Sequence, residues 1–405
     1  MKRWESLGAE EVRRLQLEKL NRLLRFHRGR PLYLDLCETV AAPPVPLKRL
    51  SDLARYPIVT KDFLLKHRGE IAATPQAYRE LSTSGSSGTN LVFYHSREMV
   101  RERTACVHQL NGWIGYDNWC DPAVTVWGES PYASARKRAV AGFKRFALNT
   151  RLLSSFGMDD AMALRYARYI HRVRPTAVDG YPSYLSRVAR VALKMGVPPF
   201  MDAVVMHSGE QALPSDLEAI RDFFGHRVFA RYGSREFGPI AHEVPDERGY
   251  RVAPTRFIVE NGADGELLIT DLDNLATPFI RYHIGDAGAV MDEPDDSVTA
   301  QRIMHLEGRI HDRLETPDGR LVPGQFWTLL ARVPGVEAFQ VVQRAPDHVE
   351  LRVQVGPTQF RNEERDRVMR EATKLLGPAT AISIVLVSEV DRTRMGKRRF
   401  VVRDY

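Results

Sequence analysis

Residues 176–232 read TAVDGYPSYLSRVARVALKMGVPPFMDAVVMHSGEQALPSDLEAIRDFFGHRVFARY. Three short apolar runs, Thr176–Gly180, Ala203–His207 and Arg227–Tyr232, alternate here with two longer stretches of helical periodicity, Pro182–Met195 and Pro214–Phe224. Upstream, Ala123–Trp127 reads as a further strand and Asp160–Val173 as a further helix. Strands alternating with helices predict a βα-wound, largely parallel sheet, and such sheets bind ligands in the loops beyond the carboxyl ends of their strands.

Working outward, Val12, Leu15, Leu17, Leu20, Leu23 and Leu24 fall near helical spacing, so a helix over Glu10–Leu24 opens the chain and buries one face. Pro43, Pro44 and Pro46 mark a loop. Between Val252 and Tyr282 the helical patterns stop. Strand-like segments take over there, including GELLITDL, and a turn follows at Gly285-Asp286, which predicts a β subdomain attached to the main sheet. From Val336 the order strand (VEAFQVV), strand (HVELRVQV), helix (Glu363–Leu376), strand (ISIVLV) describes a compact α+β module. The fold expected is therefore α/β. A large N-terminal βα-wound domain with a β subdomain spans 1–310, and a small α+β domain spans 311–405.

At 405 residues the chain is long enough for two or three units with a substantial core. A hydrophobic fraction of 43% and a charged fraction of 27% are ordinary for a globular protein, and no apolar run approaches the roughly 18 residues that span a bilayer. Charges in MKRWESLGAEEVRR occupy the place of a secretory signal's apolar stretch, so a cytoplasmic protein is expected. Cys37, Cys106 and Cys120 lack CxxC spacing and point to neither a disulfide framework nor a structural metal. The net charge of +7 is dispersed among acidic residues rather than gathered with aromatics, which argues against nucleic acid and leaves anionic small molecules as ligands.

Ser82-Thr83-Ser84-Gly85-Ser86-Ser87-Gly88-Thr89-Asn90 joins flexible glycines to hydroxyl donors, as wrapping a polyphosphate requires; by composition it equally suits a surface loop. It does not fit GxxxxGK[ST], and GYPSY at 180–184 does not fit GxSxG. Four more stretches follow in order: Ser208-Gly209-Glu210 and Tyr232-Gly233-Ser234-Arg235-Glu236 at strand ends, Arg281-Tyr282-His283-Ile284-Gly285-Asp286, and Arg394-Met395-Gly396-Lys397-Arg398 near the C-terminus. Singly, each has a plain reading as a turn, a strand end or a solvated basic tail. Together, in this order, they resemble the motif series of the acyl-adenylating enzymes. WESLGAEEVRRLQLEKLNRLL, LSDLARYPIVTKDFL and the GDAG turn more closely resemble the phenylacetate-CoA ligase branch with its CapK-like members.

The resemblance implies roles. Ser84, Gly85, Ser86, Ser87, Gly88 and Thr89 would hold the phosphates of ATP, and Glu236 would bind the Mg²⁺ that screens them. Ser208, Gly209 and Glu210, with Tyr232, Gly233 and Ser234, would line the adenine pocket, and Asp286 would accept the ribose hydroxyls with Arg309 close by. Lys397 would neutralise charge as the substrate carboxylate approaches the α-phosphate. The acid would lie against Trp127, Gly128, Gly180, Tyr181 and Ser208, a wall that suits a planar aryl or arylacetic acid and suits core packing equally.

In the family's scheme the small domain rotates after adenylation. The hinge motif reads Gly308-Arg309-Ile310-His311-Asp312, with His311 where the family commonly has Asp. Thr89-Asn90 replaces the usual Lys-Pro, and Arg302–Glu307 lacks the cysteines many relatives carry there, so no zinc is expected. The function implied is ATP-dependent conversion of a carboxylic acid to acyl-AMP, then transfer to CoA. The alternatives are transfer to an amine and, in another class, a non-catalytic nucleotide- or acyl-adenylate-binding relative. Basic residues around Lys397 would either contact CoA phosphates or form a solvated tail, and a homodimer is the expected assembly.

Overall fold

The structure, a computed structural model, describes residues 7–38, 42–83, 90–128, 142, 145, 148–291, 300–310, 313–322, 330, 333, 335–356, 360–392 and 397–405. The chain divides into two compact units, residues 1–113 with 231–306 and residues 114–230 with 307–405. No helix among the described residues is long and apolar enough to cross a membrane.

In the first unit, helix α1 (Ala9–His27) turns Leu20, Leu23 and Leu24 onto Tyr56, Leu272 and Ile280. Lys19 reaches Asp273 at 2.8 Å, and Asp273 with Asp271 flanks the guanidinium of the buried Arg256. Short helices α2 (Pro31–Cys37), α3 (Lys61–Lys66) and α4 (Arg68–Ala72) lead to the hairpin β1 (Arg79–Ser82) and β2 (Val92–His95), in which Arg79 lies opposite His95. Helix α5 (Arg97–Trp113) buries Met99, Cys106, Leu110 and Asn111.

The second unit begins with a parallel sheet of β3 (Ala123–Trp127), β4 (Thr150–Ser154), β5 (Ala177–Gly180), β6 (Val204–His207) and the first half of β7 (Val228–Ser234), ordered β7-β6-β5-β3-β4. Helix α6 (Asp160–Val173) is capped by Asp159, whose carboxylate accepts the Met162 N–H at 2.7 Å, and ends where Arg174 turns left-handed at φ 45°. Its buried residues Ala163, Ala167 and Ile170 recur at helical spacing. Helices α7 (Pro182–Lys194) and α8 (Pro214–Phe224) each start on proline, whose fixed φ suits a first turn. Leu185, Val188, Ala192, Ile220 and Phe223 join Val124, Val178 and Val205 in one core. The βα-wound sheet read from residues 176–232 is thus borne out, with the strands within a residue or two of the expected bounds.

Beyond Ala230 the pairing becomes antiparallel. In the first unit the second half of β7 is followed by β8 (Gly238–Glu243), β9 (Tyr250–Val252), β10 (Phe257–Asn261), β11 (Glu266–Asp271), β12 (Tyr282–Met291) and β13 (Arg302–Arg309), ordered β10-β11-β12-β13-β9-β8-β7. This is the expected β subdomain.

Residues 314–403 of the second unit form a small α+β module, with the hairpin β14 (Leu314–Glu315) and β15 (Leu321–Val322) beside a sheet ordered β18-β17-β16-β19. Its strands are β16 (Val336–Ala345), β17 (His348–Val355), β18 (Ala381–Val387) and β19 (Val401–Arg403). Helix α9 (Asn362–Leu376) makes the crossover between the parallel pair β17 and β18, burying Val368, Ala372 and Leu376.

Candidate active site

In the parallel sheet, Val126 pairs with Gly180 and Gly180 with His207, so β3, β5 and β6 end side by side. The residues that follow, Gly128, Tyr181 and Ser208, therefore emerge along one edge, and the Ser208 N–H donates to the Gly180 carbonyl at 3.2 Å. The ring of Trp127 stacks on that of Tyr181 with centroids 4.0 Å apart and planes 23° apart. Tyr181 is almost wholly buried and Trp127 half-buried. Two glycines permit this packing. A Cβ at Gly180 would stand 2.7 Å from the Val126 carbonyl oxygen, and one at Gly209 would stand 2.8 Å from Cε1 of Tyr181 and 3.3 Å from the Trp127 ring. Gly209 also has φ +82°, in the region L side chains rarely adopt.

Lys397 comes to this aromatic pair from the C-terminal module, its Nζ 5.6 Å from the centroid of Tyr181. The structure thus brings Trp127, Gly180, Tyr181, Gly209 and Lys397 together in one unit, although the last two are far apart in sequence.

The next residue behaves unlike either reading of the basic tail. Arg398 is 8% exposed, and its guanidinium makes a two-point ion pair with Asp216, Nη1 to Oδ2 at 2.6 Å and Nη2 to Oδ1 at 3.1 Å. Its backbone N–H donates to Glu210 Oε1 at 3.2 Å. Burial raises the Glu210 carboxyl pKa above the ordinary carboxylate value, while Arg398, Ser183 and Arg392 pull it down. Glu210 therefore faces the lysine segment. Arg309 is exposed at the end of β13. Arg398 and Asp216 were not singled out from the sequence; the one local signal was an acidic residue at the third position of α8, where it accepts the Leu213 N–H at 3.3 Å.

In the first unit, Tyr232 donates its hydroxyl to Asp286 Oδ2 at 2.8 Å. Strand β7 shifts register between Tyr232 and Gly233. There a Cβ would lie 2.4 Å from the Gly238 carbonyl oxygen, so the close approach of two backbones fixes glycine at 233. Ser234 accepts the Phe237 N–H at 3.4 Å. Glu236 is 8% exposed, and its carboxylate takes no hydrogen bond or ion pair from any described residue. Its backbone carbonyl accepts Nε2–H of the buried His95 at 2.7 Å, a partner the sequence did not suggest. Burial lowers the His95 pKa to about 4, so the ring is neutral near pH 7. Ser84–Thr89 and His311 lie outside the described residues.

The chain superposes over 98% of its length on 2-hydroxyisobutyryl-CoA ligase in its postadenylation state, in complex with R3-HIB-AMP, covering 91% of that chain at TM-score 0.76 and 20% identity. It has the fold of the acyl-adenylate-forming ligases. Residues 314–404, the module that carries Lys397, match the CapK C-terminal domain family. The chain is 22% identical over 365 residues to protein CapK of Staphylococcus aureus, covering 88% of this chain and 81% of that one. It is 21% identical over 430 residues to phenylacetate-coenzyme A ligase of Aromatoleum evansii, covering 98% and 96%. The ligase resemblance read from the sequence is borne out by these matches.

Proposed function

We propose that the chain converts a carboxylic acid and MgATP to acyl-AMP and pyrophosphate and passes the acyl group to an acceptor, CoA in the first instance. The observation that carries this reading is Lys397 Nζ standing 5.6 Å from the Tyr181 ring, at the edge where β3, β5 and β6 end. A cation delivered there suits the approach of a carboxylate to a phosphate, two anions whose repulsion must be offset as the new bond forms. The carboxylate oxygen attacks the α-phosphorus, the bond to the bridging oxygen breaks, and pyrophosphate leaves with that electron pair. No protein nucleophile takes part.

The aromatic wall of Trp127 and Tyr181 favours a planar acid, aryl or arylacetic, whose ring lies along it. Asp286, held by Tyr232, takes the ribose hydroxyls, and Ser208 and Gly209 take part in holding the nucleotide. Glu236 fits a hard cation, because a nearly buried carboxylate with no basic partner among the described residues is costly until a metal compensates it. Mg²⁺ bound there would screen the phosphate charges. His95 keeps the backbone of Glu236 fixed and stays neutral, adding no competing charge.

The deciding experiment measures pyrophosphate release from MgATP with a panel of aromatic and aliphatic acids in the presence of hydroxylamine, which traps an acyl-adenylate whatever the natural acceptor. Acid-dependent release with hydroxamate formation is the expected result. ATP binding without release for any acid would favour the binding-only relative, and absence of ATP binding would overturn the proposal. Adding CoA or a series of amines to the active mixture and following AMP release then separates thioester from amide formation.

A further inference from the structure

Two arginines flank the lysine segment. Arg392 and Arg398 face one another across an isolated antiparallel bridge, so the chain leaves and returns at one place. Arg392 donates Nη1–H to Ser183 Oγ at 3.1 Å, and its guanidinium lies 4.6 Å from the centroid of Tyr184. Both partners sit in the first turn of α7, directly after Tyr181. Arg398 is held by the first turn of α8 through its ion pair with Asp216, and by Glu210 through its backbone N–H.

Asp216 is fully buried and is held in turn by Ser186, whose hydroxyl donates at 2.6 Å, and by the Leu213 N–H, with Arg190 at 3.6 Å. A buried pair of this kind contributes little net stability, since removing both charges from water costs about as much as their attraction returns. What it supplies is geometry: a planar fork on a carboxylate fixes both distance and orientation. Arg398 is the neighbour of Lys397 in the chain, so once its backbone and guanidinium are fixed, the lysine retains little beyond its own rotamers.

We infer that the Arg398–Asp216 pair is a latch that positions Lys397 against Tyr181 for adenylation. This inference rests on the proposed role of Lys397. Arg398 is a positioning residue and touches none of the reacting atoms. Opening the latch withdraws the lysine, which makes the pair the contact through which its engagement is set.

The test compares Arg398→Met, Arg398→Lys and Asp216→Asn in the full chain, using an acid that supports hydroxamate formation. Arg398→Met is expected to lower the kcat of pyrophosphate release at least tenfold while ATP affinity by calorimetry stays within threefold. Arg398→Lys, with charge but no fork, should recover part of the loss, and Asp216→Asn should lower kcat in the same sense. Hydrogen exchange without any ligand gives an independent reading: amides 397–403 should exchange faster in Arg398→Met while those of β16 and β17 keep their protection. Unchanged kcat and exchange, or an equal fall in kcat and ATP affinity, would overturn the latch. Should Arg398→Met not fold, Asp216→Asn, nearly isosteric, carries the same comparison. Failure of the underlying reading is distinct, because Lys397→Ala would then leave pyrophosphate release intact.

Discussion

Replacing Gly209 by alanine tests whether the aromatic wall is part of the active site. The backbone there has φ +82°, and an L residue in left-handed backbone costs roughly 1–2 kcal/mol, partly offset by about 0.4–1 kcal/mol from the stiffer unfolded chain. The added methyl would also stand 2.8 Å from Cε1 of Tyr181, where ordinary contact begins at 3.4 Å. Tyr181 must therefore recede by about 0.6 Å, and it is buried with Trp127 stacked on it, so overpacking adds about 1–3 kcal/mol. Gly196, at the end of α7, is the control: its φ is +68° and nothing lies within 4 Å of its Cβ position. Gly196→Ala carries the backbone term alone. Urea unfolding should place Gly196→Ala about 1 kcal/mol below the parent protein and Gly209→Ala about 2–4 kcal/mol below it. In the pyrophosphate assay Gly196→Ala should keep its rate within twofold. Gly209→Ala should lose about tenfold or more, since shifts approaching 1 Å in a positioning group cost on the order of a hundredfold. Equal rates and equal stabilities in the two variants would refute both the packing argument and the placement of the wall.

Lys397→Ala should cut hydroxamate formation about 10²- to 10³-fold, the loss typical of a group stabilising transition-state charge, while stability changes by less than about 1 kcal/mol and ATP affinity is retained; full turnover would remove the lysine from the mechanism. Tyr232→Phe deletes the hydroxyl that donates to Asp286, and calorimetry should show weaker ATP binding with a stability loss of about 1 kcal/mol; unchanged affinity would exclude this pair from the ribose site. Burial lowers His27 to about 3 and His95 to about 4, below the ordinary value of 6.5, so both rings stay neutral in the folded chain while the unfolded chain takes up protons. Each then withdraws about 1.4 kcal/mol per pH unit as pH falls below 6.5, down to about pH 4 for His95 and about 3 for His27, and urea midpoints at pH 7.5 and 5.5 should record the loss, with His27→Leu flattening it. Identical midpoints at the two pH values in the parent protein would contradict the burial argument.

The elements most legible in the sequence were those whose burial is periodic. Helix α6 hides Ala163, Ala167 and Ile170 on one face, and strands β5 and β6 are buried on both faces almost throughout, as a covered parallel sheet requires. Helix α5 escaped notice because its buried set, Met99, Cys106, Leu110 and Asn111, mixes polar residues with apolar ones and leaves no clean stripe. The buried Arg256, seated between Asp271 and Asp273, was equally opaque. Sequence gives an arginine no mark of burial, and its two carboxylates become partners through the strand and the turn that carry them.

The candidate site divides along a similar line. Glycines are informative at a distance because the lack of a side chain is a local property: Gly180, Gly209 and Gly233 each stand where a Cβ would strike a neighbour. Charges are not, because their meaning depends on what faces them after folding. Lys397 and Arg398 are adjacent and look alike in a basic run, yet the ammonium lies over the Tyr181 ring while the guanidinium is sealed against Asp216, 182 residues away. Chemistry separates the two roles once the partners are known. The guanidinium, planar and always charged, suits a fixed fork, whereas the ammonium, a compact charge on a flexible stem, suits meeting a carboxylate and a phosphate that arrive only with substrate. Exchanging the two residues in a Lys397→Arg, Arg398→Lys double variant therefore keeps the net charge and should still remove both functions.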